Sequence, residues 1–238
     1  MTQKHTPPVV TWIGYLALAL LVVLPLAVLT VRSGAWQQGL LLYALACAGA
    51  AVLLLICLAL LVLPRFRDQR KAILSRALLT LPGTLLILVL FGSGGDVPSI
   101  HDITTDTTDP PVFTAAPERR GEGSNSLAIK PDVIEAQVEA YPNITTLVSA
   151  DGLEQTFKRS LQVARELGWE VYREDLNAGY IEAVETTAIM GFKDDIVIRI
   201  RTNAEGTIVD LRSVSRVGRS DLGANAARIQ RFAEAFAG

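Results

Sequence analysis

Acidic side chains are nearly missing from the first 95 residues, where Asp68 alone stands against seven Lys/Arg. Charge of either sign is missing altogether from Trp12–Val31, from Leu40–Leu63 and from about residues 77–94. The other 143 residues are the reverse: they hold 15 Lys/Arg and 23 Asp/Glu, so a net +6 in residues 1–95 is followed by −8 in residues 96–238. That asymmetry excludes a single soluble domain. It also excludes a nucleic-acid binder driven by bulk charge, because the acidic part would repel phosphates. Cysteine is scarce too. Cys47 and Cys57 both fall in the second uncharged run, about 15 Å apart along a helix, too far for a disulfide. Residues 96–238 hold no cysteine, so thiol chemistry and disulfide stapling are excluded there.

The uncharged runs have the length to cross a bilayer: 20 residues of helix span about 30 Å. Three spans are predicted, about residues 12–31, 40–63 and 77–94, the last interrupted by Pro82-Gly83. Pro82 kinks it, which a membrane helix tolerates if the freed carbonyl finds a partner. Two further runs follow the first, which argues against a cleaved signal peptide. Ala46 and Ala50 have the small-xxx-small spacing of close helix packing, and an Ala-rich composition produces the same spacing by chance. The loop after the second run carries Arg65, Arg67, Arg70, Lys71 and Arg76, whereas the loop after the first carries only Arg32. The positive-inside bias therefore places the second loop and the N-terminus with Lys4 in the cytoplasm, and residues 96–238 on the far side. In a bacterium that is an inner-membrane protein with a periplasmic domain.

Residues 96–150 are rich in Pro, Thr, Gly and Asp. They read as extended or irregular chain, packed in part on the domain that follows, with one short helix at Pro131–Ala140. Residues 151–238 form the predicted α+β core. A helix opens at Asp151, carries Leu153, Phe157, Leu161, Ala164 and Leu167 on one stripe, and stops at Gly168. Asp151 and Glu154 have the spacing of a capping pair. Two hairpins turn at Asn177–Gly179 and at Asn203–Gly206, and Ser220 is expected to cap a last helix. The sum is three transmembrane helices followed by a two-layer domain, a four-stranded antiparallel sheet with two helices on one face. In the second hairpin, Thr202 opposite Thr207 sets Ile198 against Leu211 and Arg199 against Asp210. Ile196, Ile198, Ile200, Val209 and Leu211 then line the helix-bearing face, and Arg199, Arg201, Asp210 and Arg212 line the other. That charged face is either solvated or covered by the 96–120 segment.

The densest polar run joins the last strand to the last helix: Arg212, Ser213, Ser215, Arg216, Gly218, Arg219, Ser220, Asp221, Asn225 and, one turn on, Arg228. Helix N-termini favour anions, which makes Arg199, Arg212, Arg216, Arg219, Ser220, Asn225 and Arg228 candidate binding residues for a carboxylate, phosphate or lipid headgroup. Asp221 opposes an anion there, and no P-loop signature is present. In the bland alternative Ser220 and Asp221 cap the helix while the arginines pair with Asp194, Asp195 or Asp210. Ser/His/acid catalysis would have to use His101, the only histidine outside the N-terminal tail, with Asp102 and Ser215 or Ser220; no Gly-x-Ser-x-Gly elbow exists. No metal or cofactor is expected. One histidine without cysteine cannot build the usual zinc shell, and Asp102, Asp106 and Asp109 lack the spacing of a calcium loop. Asn143-Ile144-Thr145 is a glycosylation triplet.

The segment His101–Asp106, Pro110-Pro111 with Phe113, Tyr141-Pro142, Asp194-Asp195 with Arg199, Asp210 with Arg212, and the long run Ser213–Asn225 with Arg228-Ile229 resemble the domain-of-unknown-function family numbered 1499 over about residues 96–236. The resemblance implies an envelope- or membrane-associated protein and carries no activity. It also implies that the His-Asp segment and the Arg-Ser corner meet in space. The leading expectation is a non-catalytic binding or assembly module at the membrane surface, recognising an anionic group or an envelope partner protein and not nucleic acid. The alternatives are a hydrolase or transferase built on His101/Asp102, and a purely structural exported domain.

Overall fold

The computed structural model describes residues 7–92, 97–204 and 206–238. Lys4, the third apolar run beyond Gly92, and Glu205 of the second hairpin loop lie outside the described residues. The chain divides into two compact units, residues 1–95 and 96–238.

The first unit holds α1 (Pro8–Arg32), α2 (Trp36–Val62) and α3 (Arg70–Gly92), with a short 3₁₀ turn at Pro64–Gln69 before α3. Three helices are long and apolar enough to cross a membrane. Helix α3 begins seven residues ahead of the uncharged run, because Arg70, Lys71 and Arg76 are good helix formers whose long side chains need not lie in hydrocarbon. Pro82 stays inside α3. The hydroxyls of Thr80 and Thr84 donate to carbonyls of the turn before it, those of Ala77 (2.7 Å) and Thr80 (2.9 Å). Ala46 and Ala50 do form a packing seam: a methyl on Gly83 would lie 2.7 Å from the Ala50 Cβ and 3.7 Å from the Ala46 carbonyl, so α2 and α3 touch backbone to backbone. Cys47 and Cys57 are buried free thiols.

The second unit is α+β. Its strands are β1 (Asp102–Thr104), β2 (Leu147–Ser149), β3 (Glu170–Asp175), β4 (Tyr180–Thr186), β5 (Lys193–Asn203) and β6 (Gly206–Ser215). Its helices are α4 (Ala116–Arg119), α5 (Pro131–Ala140), α6 (Leu153–Glu166) and α7 (Ala224–Ala237). The sheet has six antiparallel strands in the order β1-β6-β5-β4-β3, with β2 also on β6, and not the four that alternation predicts. The two additional strands come from the irregular segment. Each is three residues long, too short for a period of two to show. Both pair with the outer edge of β6, β1 opposite Val214–Arg212 and β2 opposite Val209–Thr207. Thr105 bridges the gap between them: its N–H donates to the Leu211 carbonyl and its hydroxyl accepts from the Leu211 N–H, both at 2.9 Å.

The second hairpin has the expected register, Thr202 against Thr207, Arg199 against Asp210 and Ile198 against Leu211, and continues one pair further to Asn203 and Gly206. Helices α6 and α7 cover the predicted apolar face. Ile196, Ile198, Ile200, Val209 and Leu211 are buried with Phe157, Val163, Ile229, Phe232 and Trp169, whose ring stacks on Phe232 at 5.5 Å between centroids. The helix starts differ from the sequence reading. Helix α6 follows Gly152 with no side-chain cap, because Asp151 is turned so that its carbonyl accepts from the Thr156 and Thr207 hydroxyls. Helix α7 begins at Ala224 and is capped by Asp221, whose carboxylate accepts from the Gly223 and Asn225 N–H groups at 2.8 and 2.7 Å. Ser220 only accepts from the Leu222 N–H.

Candidate functional site

The pleat divides the polar run of the last strand between the two faces of the sheet. Asp102, Asp195, Arg199, Asp210, Arg212 and Arg216 fall on the face away from the helices, and Asp194, Ser213 and Ser215 fall beneath α7. The single constellation suggested by the sequence is therefore two networks.

On the first face, residues 105–128 lie over the sheet and are pinned by ion pairs, so this face is covered and not solvated. Arg212, 1% exposed, grips Asp102 with two hydrogen bonds (2.9 and 2.6 Å) and donates to the Leu127 carbonyl (2.9 Å). Arg199 contacts Asp109 (2.9 Å), Asp106 (3.0 Å) and Asp210 (3.1 Å). Asp195 receives Arg216 on both oxygens (3.0 and 2.7 Å) and Arg120 at 2.5 Å. Asn125 secures the far end of the segment, donating to the Ser215 and Gly218 carbonyls. Phe113 and Ala116 close an apolar patch over Val197 and Val214 between these charges.

The fully buried Glu182 of β4, not singled out by the sequence, organises this cover. It accepts from the Thr114 hydroxyl (2.6 Å) and from the N–H groups of Thr114, Ala115 and Ala116 (2.9, 3.0 and 2.9 Å), capping α4 from across the layer. Burial raises its proton affinity, but the Thr114 hydroxyl and the three N–H groups outweigh burial and hold the carboxyl below the ordinary glutamate range. The same balance holds Asp106 low: burial opposes, and the Asp109 and Thr108 N–H groups, then Arg199 and Arg201, prevail. Tyr172 is the opposite case. Burial first, then Asp195 and Glu182, push its phenol far up, and its buried hydroxyl has no hydrogen-bond partner among the described residues. A strand-centre acid flanked by Ile181 and Ala183 is the one sequence signal that marks Glu182 as a buried, partnered group.

Beneath α7, Arg228 reaches Asp194 at 2.5 Å and also pairs with Glu185, and its Nη1 donates to Ser213 Oγ at 3.0 Å. Asn225, 0% exposed, accepts from the Ser213 hydroxyl (2.7 Å) and donates to Ser215 Oγ (2.9 Å) and the His101 carbonyl (3.1 Å). The His-Asp segment and the Arg-Ser corner thus meet, as the resemblance implied, but they meet through backbone and amide. The His101 ring faces the Arg219 carbonyl at 3.4 Å, and among the described residues no bond joins it to the Ser215 or Ser220 hydroxyl. Consecutive residues of β1 point to opposite faces, so Asp102 serves Arg212 and does not orient His101. The catalytic arrangement of His101, Asp102, Ser215 and Ser220 is therefore not assembled.

Arg199, Arg212, Arg216, Asn225 and Arg228 are likewise turned to partners within the protein, and Asp102, Asp106 and Asp109 face arginines and do not form a calcium cage. Of the arginines singled out, Arg219 alone is exposed and makes no ion pair among the described residues. Asn143 is exposed. No curated protein matches the sequence. The family model for a protein of unknown function, DUF1499, matches residues 102–236, which contain β1, both networks and nearly all of α7, and the chain belongs to that family.

Proposed function

We propose that this chain is a membrane-anchored envelope protein, its N-terminus cytoplasmic and residues 96–238 extracytoplasmic, whose outer domain is a non-catalytic binding or assembly module for an anionic group or a partner protein. In a bacterium its place is the inner membrane with the domain in the periplasm. The orientation rests on Arg65, Arg67, Arg70, Lys71 and Arg76, between the second and third uncharged runs. The non-catalytic reading rests on one observation: the polar corner is filled by its own side chains, with Asn225 and Arg228 engaging Ser213 and Ser215 and the His101 ring turned to the Arg219 carbonyl. The paired arginines are scaffold, and recognition falls to the exposed groups around Arg219.

C-terminal reporter fusions test the orientation, with an alkaline phosphatase fusion expected to be active and a cytosol-only fluorescent fusion dark. A photo-crosslinking residue at position 219 in membranes is expected to give a discrete adduct that His101→Ala retains. Loss of the adduct in His101→Ala, with folding intact, would favour the hydrolase reading instead.

A further inference from the structure

One end of the outer domain combines groups that the networks leave outside. At this end β5 begins, β6 finishes and the β4–β5 turn lies beside them. Leu222, in the loop before α7, is 54% exposed, and Ile189, in the β4–β5 turn, is 68% exposed. Arg219 and Lys193 are exposed at the same end. The acids there are largely engaged: Asp221 caps α7, and Glu185 holds Arg228 and Arg231. Glu170, at the start of β3, is exposed.

Residues 97–100 run along this loop. The Asp221 N–H donates to the Ile100 carbonyl at 3.1 Å, and a methyl on Gly223 would lie 3.8 Å from the Val97 side chain. Val97 follows the last residue of α3 by five positions, at most about 18 Å of extended chain. The chain therefore tethers Val97 within that length of the end of α3, a helix long and apolar enough to cross a membrane.

We propose that the Arg219–Leu222 loop and the Ile189 turn form a lipid-headgroup docking surface, with Leu222 and Ile189 entering the interface and Arg219 and Lys193 meeting anionic phosphates. Two aliphatic side chains among cations are the composition of an interfacial anchor, in which apolar burial and attraction to anionic lipid add. The inference deepens the module reading, on which it rests, by naming the anionic group as phospholipid.

The test uses the full chain in phosphatidylglycerol/phosphatidylethanolamine vesicles, with Cys47→Ala and Cys57→Ala and a bimane label on a single cysteine at position 222, 189 or 176. Leu176 lies in the β3–β4 turn at the other end of the sheet. Shallow doxyl-labelled lipid is expected to quench labels at 222 and 189 and spare 176, with aqueous iodide doing the reverse. Arg219→Glu should weaken lipid quenching at 222 about fivefold, and removing phosphatidylglycerol should act in the same direction. Iodide quenching at 222 and 189 equal to that at 176 would overturn the proposal, and so would labels at 222 and 189 shielded from both quenchers, the sign of a protein cover. Either result can coexist with a protein adduct at position 219, which separates failure of lipid docking from failure of the module reading.

Discussion

Glu182 shows how much one buried carboxylate can organise. Substitution by alanine leaves three N–H groups of the 114–116 turn without their acceptor and removes one of the two carboxylates on Arg173, which keeps Asp175. A buried hydrogen bond left unmade costs about 1–3 kcal/mol, and Glu182→Ala, which leaves several, is expected to destabilise the outer domain by at least that order in urea titrations followed by tryptophan fluorescence. Glu182→Gln keeps the size and an acceptor oxygen and should cost less. Tyr172 gives the opposite expectation. Its buried hydroxyl meets no partner among the described residues, and an unmade hydrogen bond carries a desolvation cost of about 1–3 kcal/mol. Tyr172→Phe should therefore leave the urea midpoint unchanged or raise it, and a clear fall would mean that the hydroxyl does have a partner in solution. At Arg212, replacement by methionine alone strands Asp102, so the pair Arg212→Met with Asp102→Leu should be more stable than Arg212→Met alone.

The elements divide by how their residues repeat. The spans, α5, the two hairpins and the stripes of α6 and α7 were legible because each has a period or a punctuated boundary. Gly179 is one such mark: it takes φ +70°, and a methyl there would strike the Ile200 carbonyl. Gly179→Ala is expected to destabilise by more than the roughly 1 kcal/mol that such a replacement gains where the backbone allows it, read as a lower thermal midpoint. Strands β1 and β2 were not legible, since three residues carry no period and their partner lies far along the chain. The caps failed for a related reason. Ser220 and Asp151 have the right chemistry, but whether a side chain turns toward a helix depends on what else claims it, and Thr156 and Thr207 claim the backbone of Asp151. The site was half legible. Arginine and serine density drew attention to the corner and alternation placed Arg199, Arg201, Asp210 and Arg212 on one face, whereas the choice between a solvated and a covered face depends on the path of residues 105–128. Gln137 was silent in sequence. Its amide accepts from the Thr104 N–H (2.9 Å) and donates to the Thr104 carbonyl (2.6 Å), standing in for a further strand at the sheet edge. Gln137→Leu should speed amide hydrogen exchange at Thr104 and Thr105 while leaving β4 and β5 protected.

For the whole molecule, the networks predict sensitivity to acid with little response to salt. Glu182 and Asp106 have folded-state affinities for protons below those of the unfolded chain. Their stabilisation is therefore complete above the ordinary carboxylate range, about pH 4, and is lost as pH falls through the depressed folded values. The outer domain should hold near neutral pH and unfold cooperatively below about pH 4, with Glu182→Gln flattening the acid limb. Because the Arg212 and Arg228 pairs are buried, raising salt across the physiological range should shift the midpoint little. A strong salt dependence would show that the covering segment 105–128 is held by surface charge instead.

Strand β6 is the hub on which β1, β2 and β5 all pair, and it arrives late: Asp102 waits for Val214. Such separation slows folding, since loop closure must precede the contacts that reward it. A nascent chain that has made everything up to Asn203 still lacks the strand against which its first, second and fifth strands zip. The outer domain must therefore remain incomplete until β6 has been synthesised.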